Sequence, residues 1–391
     1  IGHDYTYETK NHLFSQNKTN DFLGEDLITS SDGEIVSNNI KDIHKLRSIE
    51  QKIYANYNLG VIGSFDFGLQ FNKWSYLKEN NQSEEINFDN IQSLNINQQS
   101  LSAGWKKSIF GYLLELNLQK TLKDDFGNSL FNFQINKRYN NSVFFNAGFS
   151  YRTESPNFNF NLFRSSYTDY NWYNTDWLLQ KTTAINTEIG HPKWGILSSK
   201  LQTIDDYLFF QDITPADQLK KILRISPTQS KNKINYFKTR FFQHFKFWKF
   251  GLINTVQFQE ILSKNSDSPD HLTSSILNVP KWITRSSLLL ETFVFKKALF
   301  IQVGGTFQYF SKYYADQYHP VIGEFVSQNH TQIGNFPRLD LFLNAKIQRT
   351  RIFLKYEHVN SNKTGYDYYS SPFVPYRDRA IRFGVVWNMF Q

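Results

Sequence analysis

The sequence of 391 residues contains no cysteine, and this absence excludes two kinds of structure. Without cysteine there is no disulfide framework of the kind that holds small secreted domains together. Metal sites built on thiolate ligands are excluded for the same reason. The lack of cysteine is compatible with an oxidising compartment such as a periplasm, but does not establish one.

Long apolar runs are missing as well. No stretch of about 18 consecutive apolar residues occurs, so the sequence predicts no transmembrane helix. Aromatic residues nevertheless make up 17% of the chain, while the mean hydropathy is clearly negative at −0.51. Apolar and polar residues must therefore be interleaved, as in the strands of a membrane barrel, which stay below the threshold of hydropathy windows.

Motifs of catalytic and cofactor-binding sites are absent. None of the nine histidines belongs to an HExxH motif, and no GxSxG motif is present. Gly304-Gly305 lacks the GxGxxG context of a phosphate loop and more simply marks a bend in a strand. We expect a protein that is not an enzyme and needs no metal or cofactor. A Ser-His-acid set assembled from distant residues is not excluded by sequence.

The formal net charge of +8 raises the question of a nucleic-acid partner. The basic residues are scattered over predicted turns and loops and form no stripe on a helix, so we expect no nucleic-acid binding. The chain begins at Ile1 without an initiator methionine or a signal sequence. Either a signal peptide has been removed, or the sequence is a fragment of a longer one.

The clearest positive signal is a period of two near the C-terminus. A period of two over about ten residues predicts a strand, and strands this long are unusual in soluble proteins. The apolar residues in this pattern are Leu339, Leu341, Leu343, Ala345, Ile347, Ile352, Leu354, Tyr356, Ile381, Phe383, Val385, Trp387 and Met389.

Short turns and long polar loops alternate along the whole chain. About seven turns and eight loops predict about sixteen strands, which is the layout of an antiparallel up-and-down transmembrane β-barrel with short periplasmic turns and long extracellular loops. Residues 1–391 are expected to form this single domain. The predicted turns are Asn58-Leu59, Lys106-Lys107, Asn140-Asn141, His191-Pro192-Lys193, Trp248-Lys249, Lys296-Lys297 and Arg349-Thr350. The predicted loops are residues 14–43, 77–90, 123–127, 153–176, 205–231, 263–278, 312–336 and 361–377.

Charged residues on the face opposite the apolar one require water, and this requirement predicts a polar lumen. Such charges either set solute selectivity or merely pair with one another, and their mixed sign argues against a strongly ion-selective pore. The loop at 153–176, with Trp172 and Trp177, is predicted to fold inward and to narrow or plug the lumen. The candidate lumen-facing residues are Asp66, Glu115, Asp340, Lys346, Lys355, Glu357 and Arg382.

Tryptophans lie near predicted strand ends, which is typical of the aromatic girdles at the two membrane interfaces. Four lie near short turns or the C-terminus, namely Trp105, Trp194, Trp248 and Trp387. Trp74 and Trp282 lie at the loop ends of their strands.

Three C-terminal segments, residues 313–329, 337–362 and 371–391, resemble the β-barrel porins of Bacteroidota. In that family a similar tail, with Pro and Tyr before an Arg-x-aromatic-Gly-aliphatic strand, closes the barrel. The resemblance implies a location in the cell outer membrane and a signal peptide. Because family members are usually longer, it also leaves open a further N-terminal portion. It carries over no catalytic residues.

Three functions remain open after the sequence alone. The leading hypothesis is an outer-membrane channel for passive diffusion of small hydrophilic solutes. The alternative is a non-conducting structural or interaction barrel within a larger outer-membrane complex. A third is the barrel portion of an energy-coupled transporter, which needs a plug and about twenty-two strands. The expected partners are outer-membrane lipid and either other outer-membrane proteins or further copies of the chain.

Overall fold

A computed structural model describes residues 1–17, 40–80, 93–123, 127–139, 142–214, 224–262, 276–365 and 367–389. Within these residues, sixteen strands form one antiparallel sheet, in which each strand pairs with the sheet strand before it and the sheet strand after it. The strands are β1 (Gly2–Gln16), β2 (Ile40–Asn58), β3 (Ser64–Asn80), β4 (Ser93–Ile109), β5 (Tyr112–Lys123), β6 (Ser129–Tyr139), β7 (Val143–Glu154), β8 (Gln180–His191), β9 (Gly195–Asp205), β10 (Ile234–Phe247), β11 (Phe250–Ile261), β12 (Trp282–Val294), β13 (Leu299–Phe310), β14 (Arg338–Ile347), β15 (Thr350–Glu357) and β16 (Ala380–Trp387).

The predicted strand number and the up-and-down order are confirmed. Within the described residues the sheet runs from β1 at one edge to β16 at the other. Most residues of both edge strands are exposed. The C-terminal strand, expected to close the barrel, thus forms an edge of this sheet, with backbone groups available for further pairing.

The turn predicted at Lys106-Lys107 is wrong, because β4 continues to Ile109. The chain reverses at Phe110 and Gly111, whose φ angles are +50° and +74°. Left-handed values at both central residues are typical of a type I′ turn, whose twist matches that of the flanking strands. The last predicted turn lies one residue earlier, at Gln348-Arg349. Asn140 and Asn141 lie outside the described residues.

The two faces of the sheet have the reverse of the burial found in a soluble barrel. In β14, Leu339, Leu341 and Leu343 are 39%, 51% and 38% exposed, whereas Asp340 is only 2% exposed. A water-soluble barrel would turn its apolar side chains inward. We call the surface with these leucines the apolar face and the surface with Asp340 the polar face.

A second layer, the loop layer, consists of the described parts of connections 155–179, 206–233, 311–337 and 358–379. It contains a four-stranded sheet whose two halves join by parallel pairing of Phe210 with Val326. The helical segment Phe158–Asn161 also lies here. Buried apolar side chains collect in this layer and next to it, namely Ile40, Phe163, Tyr167, Tyr170, Phe210, Ile225, Val321, Ile322 and Val326. In the part of the chain that the structure describes, no helix is long and apolar enough to cross a membrane.

Candidate functional site on the polar face

Four of the predicted lumen residues meet on β14, β15 and β16. Lys355 Nζ lies 2.7 Å from Glu357 Oε1 and 3.7 Å from Asp340 Oδ2. Arg382 Nε lies 3.1 Å from Glu357 Oε2. The register places Lys355 directly opposite Arg382, and like charges in that arrangement repel. Glu357, two residues along the strand, offsets this repulsion by contacting both.

Two further arginines complete this group and were missed by the sequence reasoning. Arg338 Nε lies 3.8 Å from Asp340 Oδ1, and Arg377 Nη1 lies 3.7 Å from Glu357 Oε2. Arg338 is the first residue of its strand, and its alternation with Asp340 would have revealed it. Arg377 lies in a connection between strands, where polar and apolar side chains do not alternate with a fixed period. The C-terminal charge cluster thus has four cations and two carboxylates, namely Arg338, Lys355, Arg377, Arg382, Asp340 and Glu357.

The other predicted charges lie elsewhere on the polar face. Glu115 pairs with Lys106 across β4 and β5, with Nζ and Oε1 separated by 2.6 Å. Lys346 lies near the short-turn end of β14, opposite Phe300 and Arg351. These residues are therefore separate from the C-terminal cluster, and the predicted charges do not form one continuous group.

Asp66 lines a depression of about 510 Å³ in the wall formed by β1 to β6. Its lining contains Gly68 and Gly104. A Cβ at Gly68 would lie 2.5 Å from Ser102 Oγ, so the neighbouring side chain packs against the bare backbone there. The other polar residues around this depression are Asp4, Lys52, Tyr54, Asn56, Ser102, Asn117 and Gln119.

Five of the six predicted girdle tryptophans lie on the apolar face or in short turns. Trp105, Trp282 and Trp387 pair with residues of the apolar face. Trp194 and Trp248 lie in short turns and are 73% and 71% exposed.

Trp74 lies on the opposite face from these five. The alternation of β3 continues without a break from Asp66 through Asn72. Trp74 therefore lies on the polar face, on the same side of the strand as Asp66 and Asn72. This placement differs from that expected of a girdle residue. A position near a strand end is therefore not enough to identify a girdle tryptophan.

Connection 155–179 packs onto the polar face at the loop ends of β2 and β3. His44 of β2 stacks on Phe163, with ring centroids 4.3 Å apart. Tyr76 of β3 donates a hydrogen bond of 3.0 Å to Asn159 Oδ1. The indole of Trp172 donates to the carbonyl oxygen of Asn159 at 2.8 Å. The connection thus covers part of the polar face with a defined structure.

Trp177 also holds this connection together internally. Its indole Nε1 donates to the carbonyl oxygen of Phe160 at 3.2 Å. Both tryptophans of the predicted inward loop therefore fix its own backbone instead of contacting the sheet through their ring nitrogens.

Asp316 and His319 of the loop layer are buried and have shifted pKa values. Burial raises the pKa of Asp316 to about 6. Burial lowers the pKa of His319 to about 4, and its ring lies 4.9 Å from that of Tyr170. In both cases the neutral form is favoured because charge is poorly solvated inside the layer. Across the described ranges no group of three His, Cys, Asp or Glu residues could hold a metal ion.

Over residues 1–391 the sequence matches the model of the family described as "Putative porin". The chain belongs to this family. Together with the fold, the match defines a transmembrane β-barrel protein of the outer-membrane type.

Several solved structures share the fold. The ferric enterobactin receptor PfeA from Pseudomonas aeruginosa, in complex with BCV-L6, is 12% identical with a TM-score of 0.67, over 97% of this chain and 59% of that one. The siderophore receptor PirA from Acinetobacter baumannii is 10% identical with a TM-score of 0.61, over 98% and 59%. The FrpB iron transporter from Neisseria meningitidis is 12% identical with a TM-score of 0.60, over 90% and 56%.

The chain thus spans less than two thirds of the length of these receptors. At these identities the likeness shows the fold alone. No curated protein matches the sequence.

Proposed function

We propose that the chain forms the wall of an outer-membrane channel through which small hydrophilic solutes diffuse passively. The observation that carries this proposal is the inverted burial of the sheet. Leucines exposed on one face suit lipid, while charged and amide side chains on the other face need water. A hydrated lumen lined by these side chains gives a polar solute a path across the apolar part of the membrane.

In this proposal the loop layer limits the width of the path. Connection 155–179 rests on the polar face through the contacts of His44 and Tyr76, so it occupies space in front of the wall. A fixed constriction of this kind passes small solutes and holds back large ones. We therefore expect a channel with a size limit and with weak ion selectivity.

Conductance tests this function directly. The purified full chain, reconstituted in planar bilayers, is expected to give discrete conductance steps in potassium chloride. Swelling of liposomes in small sugars should decrease as the size of the sugar increases. Folding is checked on the same sample by the heat-dependent change in electrophoretic mobility that is common to membrane barrels. Folded protein without conductance would contradict passive diffusion.

A second candidate is energy-coupled, substrate-gated transport. Two observations favour it: the folded loop layer over the polar face, and the similarity of the sheet to the ferric enterobactin receptor PfeA and the siderophore receptor PirA. In this case the folded protein shows no conductance in planar bilayers, while uptake in cells depends on metabolic energy. An uncoupler of the inner-membrane proton gradient abolishes uptake by this mechanism and leaves passive diffusion unaffected.

The exposed edges of the sheet favour association with further strands as a third candidate. β1 and β16 offer backbone groups to strands of another outer-membrane protein or of a second copy. In this role the chain is a non-conducting subunit of a complex. Gentle detergent extraction would then yield a stoichiometric assembly, whereas a lone monomer would contradict this role.

A further inference from the structure

A second cavity, of about 340 Å³, lies where the loop ends of β12, β13 and β14 meet the loop layer. Ile283, Gln308, Phe310 and Arg338 contribute from the polar face of the sheet, so the cavity belongs to the lumen side. Its volume is at the lower end of the range for small-molecule sites. Half of its lining residues are aromatic, namely Phe310, Tyr313, Phe336, Tyr369 and Tyr376.

Contacts with Phe310 hold two of the other rings in place. Phe310 makes edge contacts with Phe336 at 5.5 Å and with Tyr313 at 6.0 Å between ring centroids. Phe336 in turn contacts Tyr368 at 6.2 Å. Rigid aromatic walls offer a large contact surface to a ring-shaped ligand at a low entropic cost.

One side of the cavity combines a ring with a guanidinium group. The guanidinium carbon of Arg338 lies 4.6 Å from the ring centroid of Tyr376. Its Nη2 donates to the side-chain oxygen of Gln308. Held in this way, Arg338 presents a planar set of donors of the kind that recognises carboxylates. Gln308 and the hydroxyl of Ser370 also line the cavity and suit hydroxyl groups.

The charge around the cavity favours an anion. Arg338 belongs to the C-terminal charge cluster, in which four cations face two carboxylates. Of the two carboxylates, Asp340 is only 2% exposed. A carboxylate on the ligand would therefore balance part of an excess positive charge rather than meet repulsion.

We propose that this cavity, the aromatic pocket, binds an acidic saccharide unit of the hexuronate class on its way through the channel. The aromatic rings stack against the apolar side of the sugar ring. Arg338 donates hydrogen bonds to the carboxylate, and Gln308 and Ser370 form hydrogen bonds with the hydroxyl groups. The proposal rests on the proposed transport function, since it names the solute that the lumen side of this wall recognises.

Binding to the detergent-solubilised full chain tests the proposal without requiring transport. Isothermal titration compares glucuronate, glucose and benzoate, which separate the contributions of carboxylate and sugar ring. We expect glucuronate to bind with a Kd on the order of 1 mM and glucose at least about fivefold more weakly. Benzoate binds more weakly than glucuronate because it offers no hydroxyls.

Variants assign the binding to the pocket. Arg338→Gln should abolish the preference for glucuronate, so that glucuronate and glucose bind with about equal Kd values. Tyr376→Leu should raise the Kd of both sugars about tenfold. Tyr318→Ala, which removes an exposed aromatic ring elsewhere in the loop layer, should change neither. If Arg338→Gln fails to fold, Phe336→Leu replaces it as a test of ring stacking.

Equal affinity for glucuronate and glucose, preference for benzoate, or no binding to folded protein would each overturn the proposal. Conductance of the same preparation reports separately on the channel. A conducting protein that binds no sugar contradicts the pocket alone, and a silent protein that binds glucuronate contradicts passive diffusion alone.

Discussion

Asp42 and Ser166 join the sheet to the loop layer over a sequence separation of 124 residues. The Ser166 hydroxyl donates to Asp42 Oδ1 at 2.7 Å, and its backbone N–H donates to Oδ2 at 3.0 Å. Ser165 Oγ donates to the same carboxylate at 2.7 Å. Asp42 is fully buried at the start of β2. A buried carboxylate that accepts several hydrogen bonds is a strong attachment point.

Asp42→Ala is expected to release connection 155–179 from the sheet. The substitution leaves buried donors of two serines without an acceptor, which costs about 2–4 kcal/mol locally. Hydrogen exchange at residues 155–179 should accelerate, and channel conductance should rise if the connection narrows the path. Glu8→Gln on the exposed edge strand β1 serves as the control. Unchanged exchange in Asp42→Ala would show that this attachment is dispensable.

Glu357→Gln is expected to shift the channel toward anions. Lys355, Arg377 and Arg382 lose the carboxylate that contacts all three. We expect the anion-to-cation permeability ratio to rise on the order of two- to fivefold, which corresponds to about 0.4–1 kcal/mol. Reversal potentials in a salt gradient measure this ratio. Glu260→Gln removes a carboxylate paired with Lys281 on the apolar side, and an equal shift there would contradict a specific role of the cluster.

Leu341→Arg is expected to impair membrane insertion, whereas Asn344→Arg is expected to be tolerated. Leu341 lies on the apolar face, where an arginine near the bilayer midplane costs about 2–4 kcal/mol. Asn344 lies on the polar face, where its side chain donates to Gln302. Urea unfolding of both variants in lipid vesicles gives the difference. The reverse order of stability would assign the two faces the opposite way.

Acidification is expected to act on the loop layer through two opposing groups. The folded-state pKa of Asp316 lies near 6, above its ordinary value of 3.8, so this group adds stability as pH falls through 6. The folded-state pKa of His319 lies near 4, below its ordinary value of 6.5, so that group removes stability as pH falls from 6.5 to 4. Their contributions largely cancel in the parent protein.

Single substitutions separate the two contributions. Asp316→Asn should make the loop layer less stable at pH 4.5 than at pH 7, and His319→Gln should make it more stable at pH 4.5. Limited proteolysis of the loop layer at both pH values measures the effect. Asp169→Asn removes an exposed carboxylate of the same layer and should behave like the parent. Parallel pH profiles of all four proteins would argue against titration of these two groups.

The sheet could be predicted from sequence because its strands and their two faces are determined by residues that are close together in the chain. Alternation in β14 fixes which side chains share a face, and the polar connections mark where strands end. The turn at Phe110-Gly111 was missed because a phenylalanine rarely adopts a left-handed φ, so the apolar alternation was continued across it. With that turn placed correctly, the pairing of Lys106 with Glu115 follows from register.

The loop layer could not be predicted because its contacts join distant parts of the chain. Phe210 pairs with Val326, and Asp42 binds Ser165 and Ser166. None of these residues is marked by a period or a motif. The aromatic pocket has the same origin, since Phe310 and Tyr376 come from a strand and from a separate connection.

Labelling of single cysteines tests the central claim, that the polar face lines a water-filled path and the apolar face contacts lipid. The absence of native cysteine makes the background clean. Leu341→Cys, Leu343→Cys, Asn344→Cys and Lys346→Cys are each reconstituted in liposomes and treated with a membrane-impermeant maleimide. We expect fast labelling at 344 and 346 and little labelling at 341 and 343. Labelling of 341 and 343 at the same rate as 344 and 346, in folded protein, would contradict the central claim.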